Sequence, residues 1–256
     1  MTHLPFLYIT NWKLNKTLDQ GMHYFHLNQD ALHALAMNQL IEVIIAPTYV
    51  SLAPLWVFAS KIGVHLAAQD CSEHETGPYN GQVDAISLFQ VGVRYGIIGH
   101  SHPTDGGRDT DLAVANKLQR LLTVGIRPIV CVGETADEHK KGTGKQVVSR
   151  QLKLIFGELE ERLEPTIVCI AYEPVWAVGG GASVEKEYIA TMIAWIKELT
   201  VLLPQHTFYL VYGGGIDEDN AVALQSIKEL NGFLIGKASL DFKNFEKIVS
   251  LTKNDL

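Results

Sequence analysis

Cysteine is scarce in this chain: Cys71, Cys131 and Cys169 are three scattered thiols in 256 residues, with no CxxC pair. An odd, dispersed set excludes a disulfide framework and a cysteine-built structural zinc site, and it fits a reducing compartment. No apolar run reaches the roughly 20 residues that a membrane-spanning helix needs. The first eight residues carry neither a basic n-region nor a cleavage site, so no secretory signal is expected and the expected location is cytoplasmic. Positive charge is thin as well, with 21 Lys and Arg against 28 Asp and Glu for a net charge of −7. With no basic cluster to offset that balance, a nucleic-acid partner is not expected. A small anionic ligand stays open, because single cations and local backbone dipoles decide that kind of binding. Pro/Ser-rich linkers and charge blocks are also lacking. Apolar residues make up 47% of the chain, enough for a sizeable core.

The most informative stretch present is Ala-Tyr-Glu-Pro-Val-Trp-Ala-Val-Gly-Gly-Gly, residues 171–181. It places Glu173 at the end of the apolar run 167–171, beyond Tyr172, and that run has the length and composition of a buried strand. A carboxylate at the mouth of such a strand, roofed by apolar side chains, suits proton acceptance. The glycines that follow allow a segment able to close over a ligand. An ordinary strand-end glutamate before a Gly-rich turn is the plainer reading.

Strand-like runs alternate with helix-period segments from end to end. The strands are expected at 6–10, 43–47, 65–69, 95–99, 127–132, 167–172, 207–212 and 233–235. Helical periodicity is expected at 18–36, 111–124, 145–163, 185–203 and 220–230, among others. In 185–203, Ile189, Ile193, Ile196 and Leu199 recur at spacings of three and four. Eight strands alternating with eight helical segments predict a parallel sheet, and a single (β/α)8 barrel domain over 1–256 is the simplest architecture for that count. A doubly wound open sheet is the alternative, but no GxGxxG follows the first strand.

Barrel chemistry gathers at the C-terminal ends of the strands. Here those exits carry Asn11-Trp-Lys13, His100-Ser-His102, Glu173, Gly213-Gly-Gly215 and Gly236-Lys237. A cation, an imidazole and a carboxylate around one mouth suit proton abstraction next to a carbonyl. Glu173 would take the proton, His100 would hydrogen-bond the oxygen as it becomes an enediolate, and Lys13 would stabilise that oxyanion. Gly214, Gly215 and Gly236 would present backbone N–H groups to a phosphate. Each has a plain rival: a solvated lysine, a satisfied strand-end histidine, tight turns. His100 and His102 also raise a metal-dependent hydrolase, but residues two apart on a strand point oppositely and further ligands are wanting, so no metal is expected.

Several segments resemble the triosephosphate isomerase family. They are Asn-Trp-Lys-Leu-Asn (11–15), Ala-Gln-Asp (68–70), Ile-Ile-Gly-His-Ser (97–101), Pro-Ile-Val-Cys-Val-Gly-Glu (128–134), residues 171–178, Tyr-Gly-Gly (212–214), Gly-Phe-Leu-Ile-Gly (232–236) and Ala-Ser-Leu (238–240). The similarity runs through almost the whole chain in order. It implies a Glu base paired with a neutral His electrophile, a pairing for which that enzyme is a worked example. By the resemblance, Asn11 and Lys13 bind substrate, His100 is the electrophile and Glu173 is the base. Residues 174–184, beginning at Pro174 and including Gly179, form a lid. Trp176 of that lid latches onto Glu134, and Tyr212 receives the closed lid. The resemblance implies a small phosphorylated sugar as substrate, a homodimer joined through the 70–84 loop, and no cofactor.

The chain departs from the family pattern at four places. His102-Pro103-Thr104 stands where the family continues Glu-Arg-Arg, Gly215 replaces a serine, Lys237 replaces the second glycine of a pair, and 179–182 read Gly-Gly-Gly-Ala in place of Gly-Thr-Gly-Lys. Intact acid/base residues beside altered phosphate and lid regions leave two further readings open. One is the same isomerisation on a related sugar phosphate such as a tetrulose phosphate. The other is a catalytically impaired binder of phosphorylated ligands.

Overall fold

In the computed structural model, residues 4–101, 109–159, 164–178 and 183–252 are described. The first half runs β1 (Phe6–Asn11), α1 (Leu18–Leu27), α2 (Gln29–Ala36), β2 (Ile41–Ala46), α3 (Tyr49–Ile62), β3 (His65–Ala68), α4 (Ala85–Gln90), β4 (Tyr95–Ile98) and α5 (Asp111–Thr123). The second half runs β5 (Arg127–Val132), α6 (Ala136–Lys140), α7 (Gly144–Phe156), β6 (Ile167–Tyr172), α8 (Lys186–Thr200), β7 (Thr207–Tyr212), α9 (Ala221–Gln225), β8 (Gly232–Ile235) and α10 (Phe242–Thr252). The strands pair in parallel in sequence order, and β1 pairs with β8 to close the barrel. The expected eight-stranded closure is therefore observed.

Successive strand residues face opposite sides, so each strand feeds two cores. Leu7 and Ile9 of β1, Ile129 and Cys131 of β5, Cys169 and Ala171 of β6, and Tyr209 and Val211 of β7 fill the barrel interior. Their neighbours Tyr8, Val130, Ile170 and Leu210 pack outward under the helices. Burial on both faces explains why these strands read as continuous apolar runs and not as alternating ones. It also fixes what lies at the mouth. The inward set ends at Asn11 in β1, and continued one step past β5, β6, β7 and β8 it brings Gly133, Glu173, Gly213 and Gly236 to the same rim.

The helical layer differs in detail from the periodicity. The segment expected as one helix over 18–36 is two, because Asn28 leaves helical geometry at ψ 18° and its side-chain amide donates to Tyr24 O at 2.7 Å. The helix expected over 145–163 runs Gly144–Phe156 and tightens into a 3₁₀ turn at Gly157–Leu159. The one expected over 220–230 shortens to Ala221–Gln225. Helix α3 carries Pro54 in its interior, which removes a hydrogen-bond donor and obscures the segment as a helix by sequence. Among the described residues, two of the seven strand-to-strand connections thus hold paired helices, α1–α2 and α6–α7.

Candidate active site

The site is built at the strand exits. At the first, Asn11 is buried and its Oδ1 accepts from Lys13 N at 3.0 Å. Lys13 has φ 52°, the one positive-φ residue other than glycine among the described residues. That left-handed geometry costs a side-chain-bearing residue about 1–2 kcal/mol. It is held by neighbours: Gln69 Nε2 donates to both Lys13 O and Ala46 O, at 2.9 and 3.0 Å. Trp12 between them is fully buried and meets Tyr24 edge-on at 4.9 Å, so the loop is clamped on both sides. Gln69 lies in a segment that resembles the family, yet sequence reasoning assigned it no role. Its partners are backbone atoms of other loops, which no spacing reveals.

His100 reaches the mouth through a break in alternation. Tyr95 and Ile97 point into the barrel and Ile98 points outward, so strict alternation would also send His100 outward. Gly99 takes φ 69°, a left-handed turn that suits glycine, and redirects the chain. The His100 imidazole is buried, and its Nε2 stands 3.7 Å from Glu173 Oε1. His102, the second histidine of that segment, lies outside the described residues.

Glu173 is 3% exposed, and its Oε2 has no hydrogen-bond partner among the described residues. Its backbone is fixed where β6 leaves the sheet, since Glu173 N donates to Val132 O at 2.8 Å. Two glycines make the room. A Cβ on Gly213 would come within 2.6 Å of Glu173 Cγ and Oε1, and one on Gly133 would fall 2.0 Å from Glu173 O. Gly133 is held in turn by Gln151 of α7, which donates to its carbonyl and accepts from its N–H at 3.1 and 3.0 Å. Gly213 was read from sequence only as part of an anion-binding run. Its clearance role, like those of Gly133 and Gln151, was missed, although a glycine directly after each neighbouring strand was a usable signal.

The outward side of the same rim carries a polar cluster around Glu134, which is fully buried. Its carboxylate accepts from Tyr172 OH at 3.1–3.2 Å, from Trp176 Nε1 at 3.0 Å and from Tyr188 OH at 3.1 Å. Burial, and then the Glu134 charge, pushes the Tyr188 phenol up to about 12 and raises Tyr172 further still. The Trp176–Glu134 pair expected from the sequence is thus brought together, within a 3₁₀ turn (Val175–Ala177) that follows Pro174. Tyr172 and Tyr188 were not foreseen as its company. Tyr212 lies buried nearby, its ring 6.4 Å from that of Tyr172, and its hydroxyl is raised by burial first and by Glu134 and Glu173 next. Gly179 and the rest of 179–182 lie outside the described residues.

The glycines expected to hold a phosphate sit more openly. Gly214 could not carry a side chain, since a Cβ would come 2.0 Å from Tyr212 OH, whereas Gly215 and Gly236 face open space. Asn220 Nδ2 donates to Gly215 O at 2.8 Å and holds that loop. Lys237 is exposed at the start of a 3₁₀ turn (Lys237–Leu240), held below by Ser239 N donating to Gly236 O. On the far side of the rim, the 70–84 loop is closed by Ser72 N donating to Val83 O and by a stack of His74 on Tyr79 at 3.9 Å. Lys117 of α5 anchors its base between Asp70 and Asp109, at 2.8 and 2.6 Å. Burial pulls the Lys117 ammonium down, but those two carboxylates outweigh it and the net shift is upward.

Comparison with known proteins gives one answer. Residues 6–252 match the family model described as triosephosphate isomerase. A relative named triosephosphate isomerase from Paracidovorax citrulli is 37% identical over 242 residues, 94% of this chain and 95% of that one. Another of that name from Aquifex aeolicus is 34% identical over 246 residues, covering 95% and 98%. Among solved structures, that of triosephosphate isomerase from Bartonella henselae superposes with a TM-score of 0.80 at 28% identity, covering 96% of this chain and 98% of that one.

Proposed function

The chain belongs to the triosephosphate isomerase family of aldose–ketose isomerases, and from that membership we propose that it interconverts dihydroxyacetone phosphate and D-glyceraldehyde 3-phosphate. Glu173 removes a proton from the hydroxymethyl carbon of the ketone. Charge builds on the carbonyl oxygen, which His100 meets with a hydrogen bond and Lys13 with its ammonium. Return of the proton to the neighbouring carbon, with one proton passed between the two oxygens, completes the aldose. Asn11 helps bind the substrate. Gly179, Gly214, Gly215, Gly236 and Lys237 receive the phosphate, and residues 174–184 close over it, with Tyr212 as the lid's seat. No metal or organic cofactor enters these steps.

The observation that carries this reading is the buried Glu173 with one unpartnered oxygen, 3.7 Å from His100 and cleared by Gly213. Its test is turnover of the two triose phosphates by the parent protein and by Glu173→Gln. Loss of the base should lower kcat by about 10²–10⁴-fold with the fold intact. A parent protein that binds these compounds without turning them over would point to an impaired binder. The open space at Gly215 and Gly236 favours one second reading, the same chemistry on a tetrulose phosphate, which the assay separates by kcat/KM.

The rest of the reading follows from the family. The whole chain, 1–256, works as one domain in the cytoplasm, in glycolysis and gluconeogenesis. It works as a homodimer, a state supported by the exposed apolar Leu14, Tyr49, Val50 and Tyr79. Among the described residues, no helix is long and apolar enough to cross a membrane.

A further inference from the structure

His139 is the fourth residue of the five-residue helix α6, and three contacts tie it to the Glu134 cluster. Its ring stacks on Trp176 with centroids 4.3 Å apart and planes at 27°. It meets Tyr188 nearly at right angles at 4.9 Å. Its Nδ1 stands 3.8 Å from Glu134 Oε1, the oxygen that already accepts from the Trp176 indole. The ring is also 37% exposed, so protons reach it from solvent. No motif in the sequence singles this residue out.

We infer that His139 is a proton-sensitive positioning residue for Trp176: as an imidazolium it tightens the latch between Trp176 and Glu134, and as a neutral imidazole it loosens it. Neutral imidazole offers the indole a ring stack alone. Protonation places a cation against the indole face and a positive charge opposite a buried carboxylate, and both favour the latched arrangement. Histidine ordinarily changes charge near pH 6.5, within the range where an enzyme works. The titratable groups facing the ring are Glu134 from the exit of β5 and Tyr188 from α8, with Tyr172 of β6 across the same carboxylate. Both phenols are held neutral between pH 5 and 8. On its own helix Asp137, Glu138 and Lys140 flank it, with Lys141 following. An exposed cation–π contact shifts such an equilibrium by roughly two- to fivefold.

This inference rests on the reading of 174–184 as a lid, but its test needs no turnover. Protein labelled with 5-fluorotryptophan gives resonances for its four tryptophans, and Trp176→Phe identifies the one of interest. Between pH 5 and 8 the Trp176 resonance should move with a single midpoint equal to that of the His139 ring protons. In His139→Phe, which keeps the stack, and in His139→Arg, which keeps a charge, it should be flat. A parallel component should vanish from the kcat–pH profile of His139→Arg. A Trp176 signal that is flat in the parent, or that still titrates in either variant, overturns the inference. Should His139→Phe fail to fold, His139→Arg decides alone. Isomerase activity measured separately stands or falls on Glu173.

Discussion

Glu173 and the loops at Gly215 and Gly236 occupy one rim but are built in opposite ways. Around Glu173 the packing is tight: a Cβ added at Gly133 or Gly213 would fall 2.0 or 2.6 Å from Glu173 atoms, and Gln151 pins Gly133 from behind. Around Gly215 and Gly236 an added carbon would meet nothing, and Lys237 stands in solvent. The difference teaches where this chain can vary. Proton transfer needs atoms placed within a fraction of an ångström, so the surrounding positions accept only glycine. A phosphate held by loop N–H groups tolerates adjustment: of the four departures from the family pattern, Gly215 and Lys237 fall in this open region, and the other two lie outside the described residues.

The sharpest way to break the comparison is Gly213→Ala. A methyl group 2.6 Å from the Glu173 carboxylate must displace it, and a displacement near 1 Å costs about 10²-fold in kcat. Steady-state kinetics read the loss, and the crystal structure of the variant should show the carboxylate turned aside. Near-parental kcat would mean that the base region is as forgiving as the loops. Gly215→Ser tests the other half. Gly215 is not among the glycines with positive φ and has open space, so the variant should fold with unchanged Tm. The added hydroxyl should lower KM for triose phosphates by about two- to tenfold, the worth of one hydrogen bond.

The smallest effect concerns α6, which carries His139. Its Thr135–Glu138 capping box holds the Glu138 carboxylate below the usual range, through the Thr135 backbone hydrogen bond first and despite partial burial. A carboxylate depressed on folding adds stability above its unfolded value near 4.5, and that stability is lost as pH falls through the lower folded value. Glu138→Gln, which keeps the shape and removes the charge, should therefore lower Tm slightly at pH 7. The gap between parent and variant should shrink below about pH 4.

How much of this was legible in the residues divides along the same line. Strands 127–132, 167–172 and 207–212 match the observed bounds, because runs buried on both faces leave an unbroken apolar signal. The positions of Glu173, Lys13 and His100 just past strand ends were legible, because sequence order alone marks strand exits. What could not be read was contact at a distance. Gln69, Gln151, Tyr188 and His139 serve the site from other loops and helices, and nothing in their neighbours betrays it. The bend at Gly99 that turns His100 inward was equally hidden, since one backbone angle overrides a two-residue period.

The left-handed twist at Lys13 has an evolutionary reach. A residue that must carry an ammonium cannot also be the glycine its backbone geometry would favour, so this loop holds a permanent conflict between comfort and chemistry. Selection for thermal robustness alone would drift toward glycine there and extinguish the charge. A lysine held in that posture carries about 1–2 kcal/mol of backbone strain that glycine would not, so its ammonium is kept at the expense of stability.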